Sequence, residues 1–561
     1  MYDIVNMSLI IITIYFVTIL LSIIGIGFLS SKVLEIEINR SKIYLFGLIG
    51  IISLTFISYF TNLFIAHNFL HNILLLSIGL ISFFYGIYKK NINFFNLKKI
   101  IFLSVLLILL SLLYKTHDDF DWYHLPYTLN IAQSKLQFGL GSFNLGFRTP
   151  SSLFYLNSLF YLPVIEFYSF NFAQLYIFLF GLIFFYIKIF YENNNNSFIF
   201  FYSLLSFIFI SIVFYRLAEH GTDRSGQLLV FLVVIFIIEI LKANKLNINL
   251  IYIILIFLVY IITIKTYFII FGILFLPLLF KIKSNFKIYK KILISKISIF
   301  CILFLIFHFN IQVANTGCLF YPINFTCYSN FIWSINESQL ISMQEHYELW
   351  AKSGMNPNFR VEDSSEYIKN FNWVSRWFNE YFFNKVSDLL AGILTILLIC
   401  YFIFRNKSKK FLTENKINLW LILFCTLVLL IIWFIKFPQL RYGGYVIIAN
   451  LIFIPFCIYL INYSINRKII FRAKILITIS LLIFTYRNID RIIYEINFYK
   501  FDPLSSAFYR VQNPEYKKKY LDDGIEVNIT SGACWAIPQP CFRSEVIQAT
   551  KKNNYIIYWR D

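Results

Sequence analysis

A short polar stretch at residues 115–126 carries the side chains best suited to chemistry. It reads Lys-Thr-His-Asp-Asp-Phe-Asp-Trp-Tyr-His-Leu-Pro and lies between apolar runs. Only 14% of the chain is charged, so this concentration of carboxylates beside apolar segments predicts a functional role. Its acidic and imidazole side chains are His117, Asp118, Asp119, Asp121 and His124.

Three interpretations of this stretch remain open from the residues alone. Asp118 or Asp119 can act as the general base that removes the proton of an acceptor hydroxyl. The three aspartates and His124 can instead bind a hard divalent metal, although spacing alone does not define a ligand set. The third interpretation is a solvated loop. Asp121 is expected to matter less than its neighbours because it can cap the following helix.

A second polar segment, Glu-His-Gly-Thr-Asp-Arg-Ser-Gly at residues 219–226, is a tight turn between two apolar runs. Asp223 and Arg224 can simply pair with each other at the surface. The alternative places Asp223 or His220 opposite the carboxylates of the first stretch. Asp223 is therefore a candidate catalytic residue, and His220 and Arg224 are candidate substrate-binding residues.

Three cations stand at predicted helix ends: Arg148, Lys265 and Arg441. Arginine binds phosphate with two parallel hydrogen bonds, and lysine binds it as a point charge. Lys265 can instead extend towards the membrane surface. Arg441 lies in Phe-Pro-Gln-Leu-Arg-Tyr-Gly-Gly (437–444), beside Tyr442, in a turn that suits an anionic lipid headgroup.

The composition predicts an all-α, polytopic membrane protein with about 12–14 spans. The chain has 561 residues, of which 59% are hydrophobic, and many apolar runs reach the roughly 20 residues that cross a bilayer. We expect a transmembrane domain over residues 1–487, with large outer loops at 115–169 and 311–385, and a small extracytoplasmic tail at 488–561. Leu125, Leu129, Ala132 and Leu136 recur at helical spacing and predict an amphipathic helix lying on the membrane surface at 125–137.

The distribution of charge predicts the orientation. The net charge of +20 comes largely from lysine and arginine in alternate loops, which the positive-inside rule assigns to the cytoplasm. Both termini and the polar segments are then expected outside, in the inner membrane of a bacterium, and nucleic acid is not an expected partner. The predicted cytoplasmic loops are 31–42, 89–99, 188–197, 242–248, 281–291, 405–417 and 463–473.

Four of the eight cysteines form two close pairs, Cys318/Cys327 and Cys534/Cys541, in predicted outer segments. Disulfides persist in oxidising compartments outside the cytoplasm, so we expect a bridge in each pair. Free thiols are the alternative.

Several function classes lack their motifs. The chain contains no phosphate-binding Gly-x-x-x-x-Gly-Lys-Ser/Thr loop, no His-Glu-x-x-His and no Gly-x-Ser-x-Gly. ATP-driven transport and zinc proteolysis therefore have no support in the sequence.

The chain resembles the GT-C superfamily of integral-membrane glycosyltransferases, and more narrowly a group of bacterial GT-C-like membrane proteins. The acidic motif Asp-Asp-Phe-Asp (118–121), in a predicted outer loop, carries this resemblance. So do the short matches Gly-Thr-Asp (221–223), Thr-Gly-Cys-Leu-Phe-Tyr-Pro (316–322), Pro-Gln-Leu-Arg-Tyr-Gly-Gly (438–444) and Cys-Trp-Ala-Ile-Pro-Gln-Pro-Cys (534–541). The motif differs from the common pattern in position, because additional predicted spans precede it.

The resemblance implies a lipid-phosphate sugar donor such as a polyprenyl phosphosugar, inverting transfer outside the cytoplasm, and an acidic base in the first large outer loop. The acceptor would be a glycan, lipid or protein at the cell surface. Two other functions remain open: a transporter or flippase of a lipid-linked glycan, and a non-catalytic membrane assembly protein. The sequence shows no internal repeat of the kind common in transporters.

Overall fold

The protein is mainly helical. The computed structural model describes residues 8–192, 197–220, 222–243, 245–283, 286–405, 417–461, 465–543 and 546–560. In the first half of the chain the helices are α1 (Ser8–Val33), α2 (Ile43–Asn62), α3 (Phe69–Tyr88), α4 (Phe94–Leu110), α5 (Leu125–Gln133), α6 (Ser152–Ser158), α7 (Phe172–Phe190), α8 (Ser197–Val213), α9 (Leu217–His220), α10 (Thr222–Lys242) and α11 (Ile248–Ile264). In the second half they are α12 (Leu276–Lys283), α13 (Phe286–Leu293), α14 (Lys296–Thr316), α15 (Glu337–Ala351), α16 (Ser364–Ile368), α17 (Val374–Trp377), α18 (Ser387–Phe404), α19 (Ile417–Lys436), α20 (Gly444–Leu460) and α21 (Arg467–Tyr499).

Many of these helices are long and apolar enough to cross a membrane, which confirms the prediction of a multi-pass helical membrane protein. Within the described residues nine segments meet that criterion, and α8, α11, α20 and the stretch Thr266–Ile282 are shorter apolar helices. The nine are Ser8–Val33, Ile43–Asn62, Phe69–Tyr88, Glu166–Phe190, Thr222–Lys242, Lys296–Thr316, Val374–Phe404, Leu419–Lys436 and Arg467–Tyr499. The count of 12–14 spans stays a prediction.

Helices α1, α2 and α3 pack closely because glycines line their contacts. A Cβ atom at Gly25 in α1 would lie 1.9 Å from the carbonyl oxygen of Gly79 in α3, and one at Gly27 would lie 1.7 Å from that of Phe46 in α2. Small residues at such contacts let helix backbones approach in an apolar environment, where close packing drives association. This trio forms one wall of the bundle.

The bundle has two chemically different ends. At one end, which we call the basic end, the loops near residues 35–42, 188–192, 239–249 and 281–296 meet. Lys42 pairs with Glu192 at 2.8 Å, Lys296 pairs with Glu35 at 2.6 Å, and Lys281 donates to the carbonyl of Ile240 at 2.6 Å. These loops are the ones in which the sequence concentrates lysine.

The opposite end, which we call the site end, carries the polar stretch 115–126. It also carries the turn before α10, Lys265, the turn 437–443 and the residues after α21. The segment 337–386 packs here as well, since Gln439 donates to the carbonyl of Trp350 at 2.6 Å and Trp377 donates to that of Pro438 at 2.7 Å. All but one of the candidate site residues of the sequence therefore come to one end; for His220 the structure describes only the backbone.

The prediction that an amphipathic helix lies on the membrane surface at 125–137 is wrong. The helix is shorter, Leu125–Gln133, and its residues from Leu125 to Ala132 are all buried. Its polar side chains find partners inside the protein: Thr128 donates to the carbonyl of His124 at 2.7 Å, and the Tyr127 hydroxyl accepts from Asn315 at 2.8 Å. The repeat of apolar residues in the sequence indicates one buried face of this helix, whereas the structure buries both faces.

The last long helix, α21, continues well past the predicted span end at 487, to Tyr499. At 1.5 Å per residue its 33 residues extend about 50 Å, which exceeds a hydrocarbon core of about 30 Å. Its final turns therefore extend beyond the apolar bundle at the site end.

Short strands accompany the polar segments at the site end. β1 (Met355–Asn356) and β2 (Phe359–Arg360) form a hairpin. After α21, β3 (Lys517–Tyr520) pairs antiparallel with β4 (Glu526–Ile529), and β4 pairs parallel with β5 (Cys541–Phe542). β6 (Gln548–Lys552) and β7 (Tyr555–Trp559) form a second hairpin. Disulfides join Cys318 to Cys327 and Cys534 to Cys541.

Candidate functional site

The two adjacent aspartates of the polar stretch have different environments. Asp118 is 82% exposed and pairs with Lys115 at 3.0 Å. Asp119 is 38% exposed, and its Oδ2 accepts a hydrogen bond from the Tyr123 hydroxyl at 3.3 Å. The backbone N–H of Asp119 donates to His117 Nδ1 at 3.1 Å. The structure thus separates two residues that the sequence could not rank, and Asp119 is the one held in place.

A π-helical turn, Phe120–His124, places Tyr123 over Asp119. Gly146 makes room for the Tyr123 ring, because a Cβ atom at that position would lie 2.2 Å from Tyr123 Cγ. Burial raises the pKa of Tyr123 well above its ordinary value, and the Asp119 charge raises it further. The phenol therefore stays protonated and serves as a hydrogen-bond donor to the carboxylate.

His124 follows Tyr123 and is packed among aromatic rings. Its ring lies 4.4 Å from that of Tyr123 and 5.0 Å from that of Phe154. Burial lowers the pKa of His124 to about 4, and the Asp119 charge opposes this only in part. The imidazole is therefore neutral at physiological pH.

A charged cluster, which we call the site cluster, consists of Asp223, Lys265 and Arg441. Lys265 Nζ lies 2.7 Å from Asp223 Oδ1, and Arg441 Nε lies 3.2 Å from Asp223 Oδ2. Asp223 is 17% exposed, whereas 42% of the Arg441 side chain is exposed. One carboxylate thus faces two cations, so the cluster carries an excess of positive charge.

Arg441 is also incompletely satisfied. Its Nε is buried, and among the described residues the geometry gives it no hydrogen-bond partner. Arginine offers five N–H donors in a planar fork, and an unmade hydrogen bond at a buried donor costs free energy. The exposed part of the side chain leaves other donors of this fork available to the acceptor oxygens of a ligand.

Two backbone breaks and a side chain of a third element bring the cluster together. Helix α11 ends at Ile264, and Lys265 takes an extended conformation before a 3-10 helix begins at Thr266. Arg441 lies in a 3-10 turn that Gly443 ends with a positive φ of 96°. Gln227 of α10 holds this turn, since its Nε2 donates to the carbonyls of Leu440 and Arg441 at 3.2 and 3.3 Å.

The site cluster and the polar stretch face each other. Asp119 lies within electrostatic reach of Lys265, Arg441 and Tyr442, and Asp223 lies within reach of Tyr123 and His124. Lys265 Nζ lies 4.2 Å above the centre of the Tyr442 ring, a cation–π contact. Carboxylate, phenol, imidazole and two cations therefore surround one region at the site end.

Other candidate residues serve local structure. Arg224 does not pair with Asp223; it donates to the carbonyl of Val213 at 3.3 Å and lies over the rings of Phe214 and Tyr445. Arg148 is buried and donates to Gly141 and to the Tyr321 hydroxyl at 2.9 and 2.7 Å. The structure does not place either guanidinium in the site cluster.

Asp121 contributes its backbone to the C-terminal segment. Its carbonyl accepts from the N–H of Trp535 at 3.2 Å, and burial raises the pKa of its carboxyl group. The side chain makes no helix cap, contrary to the expectation from sequence. The side chain of His220 lies outside the described part of the chain.

The sequence did not reveal how the polar stretch is held. Arg491 of α21 donates to the carbonyls of Leu110 and Leu112, and Glu495 accepts from the N–H of Tyr114 at 2.8 Å. The N–H of Arg510 donates to the Tyr114 carbonyl at 2.9 Å. The one available signal was the presence of Arg491 and Glu495 in an otherwise apolar helical run.

The described residues offer no set of ligands for the alternative interpretation, a metal site. Among the side chains described, no group of three or more His, Cys, Asp or Glu residues is arranged to hold a metal ion. Asp223, the one carboxylate of the site cluster, is bound to two cations.

Comparison with known proteins gives a family without an assigned activity. No curated protein and no solved structure matches the chain. A family model described as a domain of unknown function, DUF8201, matches residues 7–448. This match includes the polar stretch, Asp223, Lys265 and Arg441, and it covers most of the chain, so the protein belongs to the DUF8201 family.

Proposed function

We propose that this protein is a membrane glycosyltransferase that takes a sugar from a polyprenyl-phosphate-linked donor. The transfer occurs at the site end, on the outer face of a bacterial inner membrane. The acceptor is a hydroxyl of a cell-surface glycan, lipid or protein. The resemblance of the acidic motif to the GT-C superfamily first suggested this activity, and the geometry of the site supports it independently.

The observation that carries the proposal is the excess of cationic hydrogen-bond donors in the site cluster. Arg441 has 42% of its side chain exposed, makes an ion pair but no hydrogen bond at Nε, and shares its one carboxylate with Lys265. A phosphate group supplies both the charge and the oxygen acceptors that this arrangement lacks. The ends of apolar helices surround the cluster, and a lipid phosphate is anchored at such a level.

Asp119 supplies the second requirement, a base. An acceptor hydroxyl is a weak nucleophile at neutral pH, and a carboxylate placed beside it removes its proton as the new bond forms. Tyr123 fixes Oδ2 of Asp119, and the partial exposure of the carboxylate leaves room for a hydroxyl.

The reaction then balances as follows. The acceptor oxygen forms a bond to the anomeric carbon while the bond from that carbon to the phosphate oxygen breaks. The proton passes to Asp119, and the electron pair leaves on polyprenyl phosphate. Arg441 and Lys265 stabilise the charge that develops on the departing phosphate, which is where fixed positive charge lowers a barrier most.

Binding of undecaprenyl phosphate to purified protein in lipid nanodiscs tests the phosphate site. We expect saturable binding by native mass spectrometry, weakened about tenfold or more by Arg441→Gln. Arg224→Gln is the matched control, since that guanidinium lies at the same end of the bundle but bonds to a backbone carbonyl. Equal binding by both variants would contradict the phosphate assignment.

Turnover separates the enzyme from its rivals. Radiolabelled polyprenyl-phosphate hexoses, incubated with the protein and a membrane extract as acceptor source, should release lipid phosphate and label an acceptor. Binding of donor without cleavage of the sugar–phosphate bond would favour the transporter or the assembly protein.

A further inference from the structure

We propose that a cavity lined by residues 115–118 binds the acceptor as a neutral saccharide. The inference rests on the proposed function and names the acceptor class for it. The cavity has a volume of about 470 Å³ and lies between the polar stretch, the turn before α10 and the end of α21. This volume falls in the range of small-molecule sites, about 300–1,000 Å³.

The charges of the cavity favour a ligand without net charge. Its lining has four cations, which are Lys115, Arg216, Arg487 and Arg491. Its lining also has four carboxylates, which are Asp118, Glu219, Asp490 and Glu495. The two sets cancel, whereas the site cluster sets two cations against one carboxylate. An anionic lipid phosphate therefore finds an excess of positive charge in the site cluster, whereas the lining of this cavity has no net charge.

Most of these charges neutralise each other within the wall. Arg216 Nε donates to Glu219 at 2.8 Å, and Arg491 lies between Glu219 at 3.6 Å and Glu495 at 3.4 Å. Arg487 and Asp490 differ, since neither forms an ion pair with any described residue: Arg487 donates to the carbonyl of Ile212 at 2.8 Å, and Asp490 is exposed at the cavity. A fixed wall with a free carboxylate suits the hydroxyl groups of a sugar, which donate and accept hydrogen bonds without carrying charge.

Three tyrosines add flat apolar surface to this polar cavity. The Arg487 guanidinium lies 3.8 Å from the ring centre of Tyr215, and Tyr499 stacks on Tyr114 at 5.5 Å. Tyr494 stacks on Phe498 at 5.4 Å and is 56% exposed. Aromatic rings with polar tips combine a large apolar face with hydrogen bonding, and a sugar ring presents the matching pair of surfaces: C–H groups on its faces and hydroxyls on its edge.

The cavity adjoins the proposed base. Lys115, Thr116, His117 and Asp118 line it, and the next residue is Asp119. His117 bonds to the Asp119 N–H at 3.1 Å, so one short segment presents Asp118 to the cavity and Asp119 towards the site cluster. A saccharide in the cavity would therefore lie next to the segment that carries the proposed base.

Saturation-transfer NMR with the wild-type protein in nanodiscs tests the inference. The probe is a set of free sugars: glucose, galactose, mannose, rhamnose, N-acetylglucosamine and N-acetylgalactosamine. We expect at least one to bind at millimolar concentration, and Tyr494→Ala and Asp490→Asn each to weaken it about tenfold, the effect of losing one stacking or hydrogen-bonding partner. Tyr486→Ala is the control, because Tyr486 is exposed on the same helix but does not line the cavity.

A competition experiment distinguishes this inference from the proposed function. Saturating undecaprenyl phosphate should leave the bound sugar in place. Displacement of the sugar by the lipid phosphate, no binding of any sugar in the set, or equal binding by all variants would overturn the saccharide cavity. Failure of undecaprenyl phosphate to bind the wild-type protein, measured separately, would count against the glycosyltransferase itself.

Discussion

The two ends of the helix bundle both contain buried charge but organise it in opposite ways. At the basic end Lys188 is 3% exposed and pairs with Glu192 at 2.7 Å and Glu239 at 2.5 Å, while Lys42 pairs with Glu192. We call these four residues the closed cluster. Two lysines face two glutamates there, so charge is balanced, and no side chain of the four is more than 30% exposed.

The site cluster has neither property. It has one carboxylate for two cations, and Arg441 is exposed over 42% of its side chain. Taking charges out of water is costly unless they are fully paired. In the closed cluster the four charges pair with each other and join helices. In the site cluster one positive charge would be matched only if an anion bound. Both clusters contain buried charge, so the presence of charge does not distinguish a structural network from a binding site. The ratio of positive to negative charges does.

Orientation gives the largest expected contrast between the ends. Single cysteines at Lys290, in α13 at the basic end, and at Asn358, in the hairpin β1–β2 at the site end, should differ completely in labelling by an impermeant maleimide added to intact cells. We expect the maleimide to label the Asn358→Cys protein in intact cells and to label the Lys290→Cys protein only after the cells are lysed. Labelling of the Lys290→Cys protein in intact cells would reverse the assignment of sides.

Asp119→Asn should nearly abolish sugar transfer at the site end. Loss of a general base typically lowers the rate on the order of 10²- to 10⁴-fold, and asparagine keeps the size of the side chain. Asp118→Asn is the matched control, with a milder effect expected because Asp118 is exposed and paired with Lys115. Transfer assays on purified proteins in lipid, normalised to folded protein, decide between them, and full activity of the Asp119 variant would exclude it as the base.

Lys188→Met should destabilise the protein while the transfer rate of each folded molecule stays unchanged. Removing one partner of a buried ion pair leaves the other charges uncompensated, at a cost of about 3–5 kcal/mol. The measurement is the midpoint of thermal unfolding in detergent together with specific activity. A stable variant with reduced activity would show that the closed cluster is more than structural.

Arg441→Lys should weaken donor binding by about tenfold, since a point charge replaces a planar fork of donors. Expression and thermal stability are expected to stay close to wild type because the tip of Arg441 is accessible. Arg224→Lys provides the control. A donor affinity that Arg441→Lys leaves unchanged would reduce Arg441 to a membrane-surface anchor.

The smallest expected effect is the response of His124 to pH. Its pKa falls to about 4 in the folded protein, below about 6.5 in an unfolded chain. Between these values the unfolded state binds more protons, so the free energy of unfolding decreases as pH falls from 6.5 towards 4 and is unaffected by His124 above that window. The unfolding midpoint of His124→Gln should therefore vary less over this range than that of the wild type; identical slopes would contradict the burial of a neutral imidazole.

The sequence predicted the helical class and identified most of the residues that meet at the site end. Asp119, Asp223, Lys265 and Arg441 were recognisable because charge is rare among apolar runs. Their contacts were not predictable, since Asp223 and Arg441 approach only through the packing of α10 against the turn before α20. Nor could the choice between Asp118 and Asp119 be made, because it depends on a π-helical turn and on the space left by Gly146.

The burial of α5 shows a second limit. Its apolar spacing fits a membrane-surface helix, but Thr128 and Asn130 are covered by other parts of the fold. A helix buried on both faces needs partners from distant segments, and a single periodicity does not report them. The contacts of Trp535 and Gln539 with Asp121 and Gln133 could not be predicted for the same reason.

The bond between the Asp121 carbonyl and Trp535 has a consequence for biosynthesis. The polar stretch is translated well before the residues that contact it and the helix after it: Trp535 donates to the Asp121 carbonyl, and Gln539 donates to Gln133 of α5, 406 residues earlier in the chain. The residues after α21 must therefore be translated, and must reach the side on which the stretch lies, before the contact between Trp535 and Asp121 forms. Nascent chains that lack these residues would insert helices into the membrane without the contacts that hold the polar stretch and α5 at the site end.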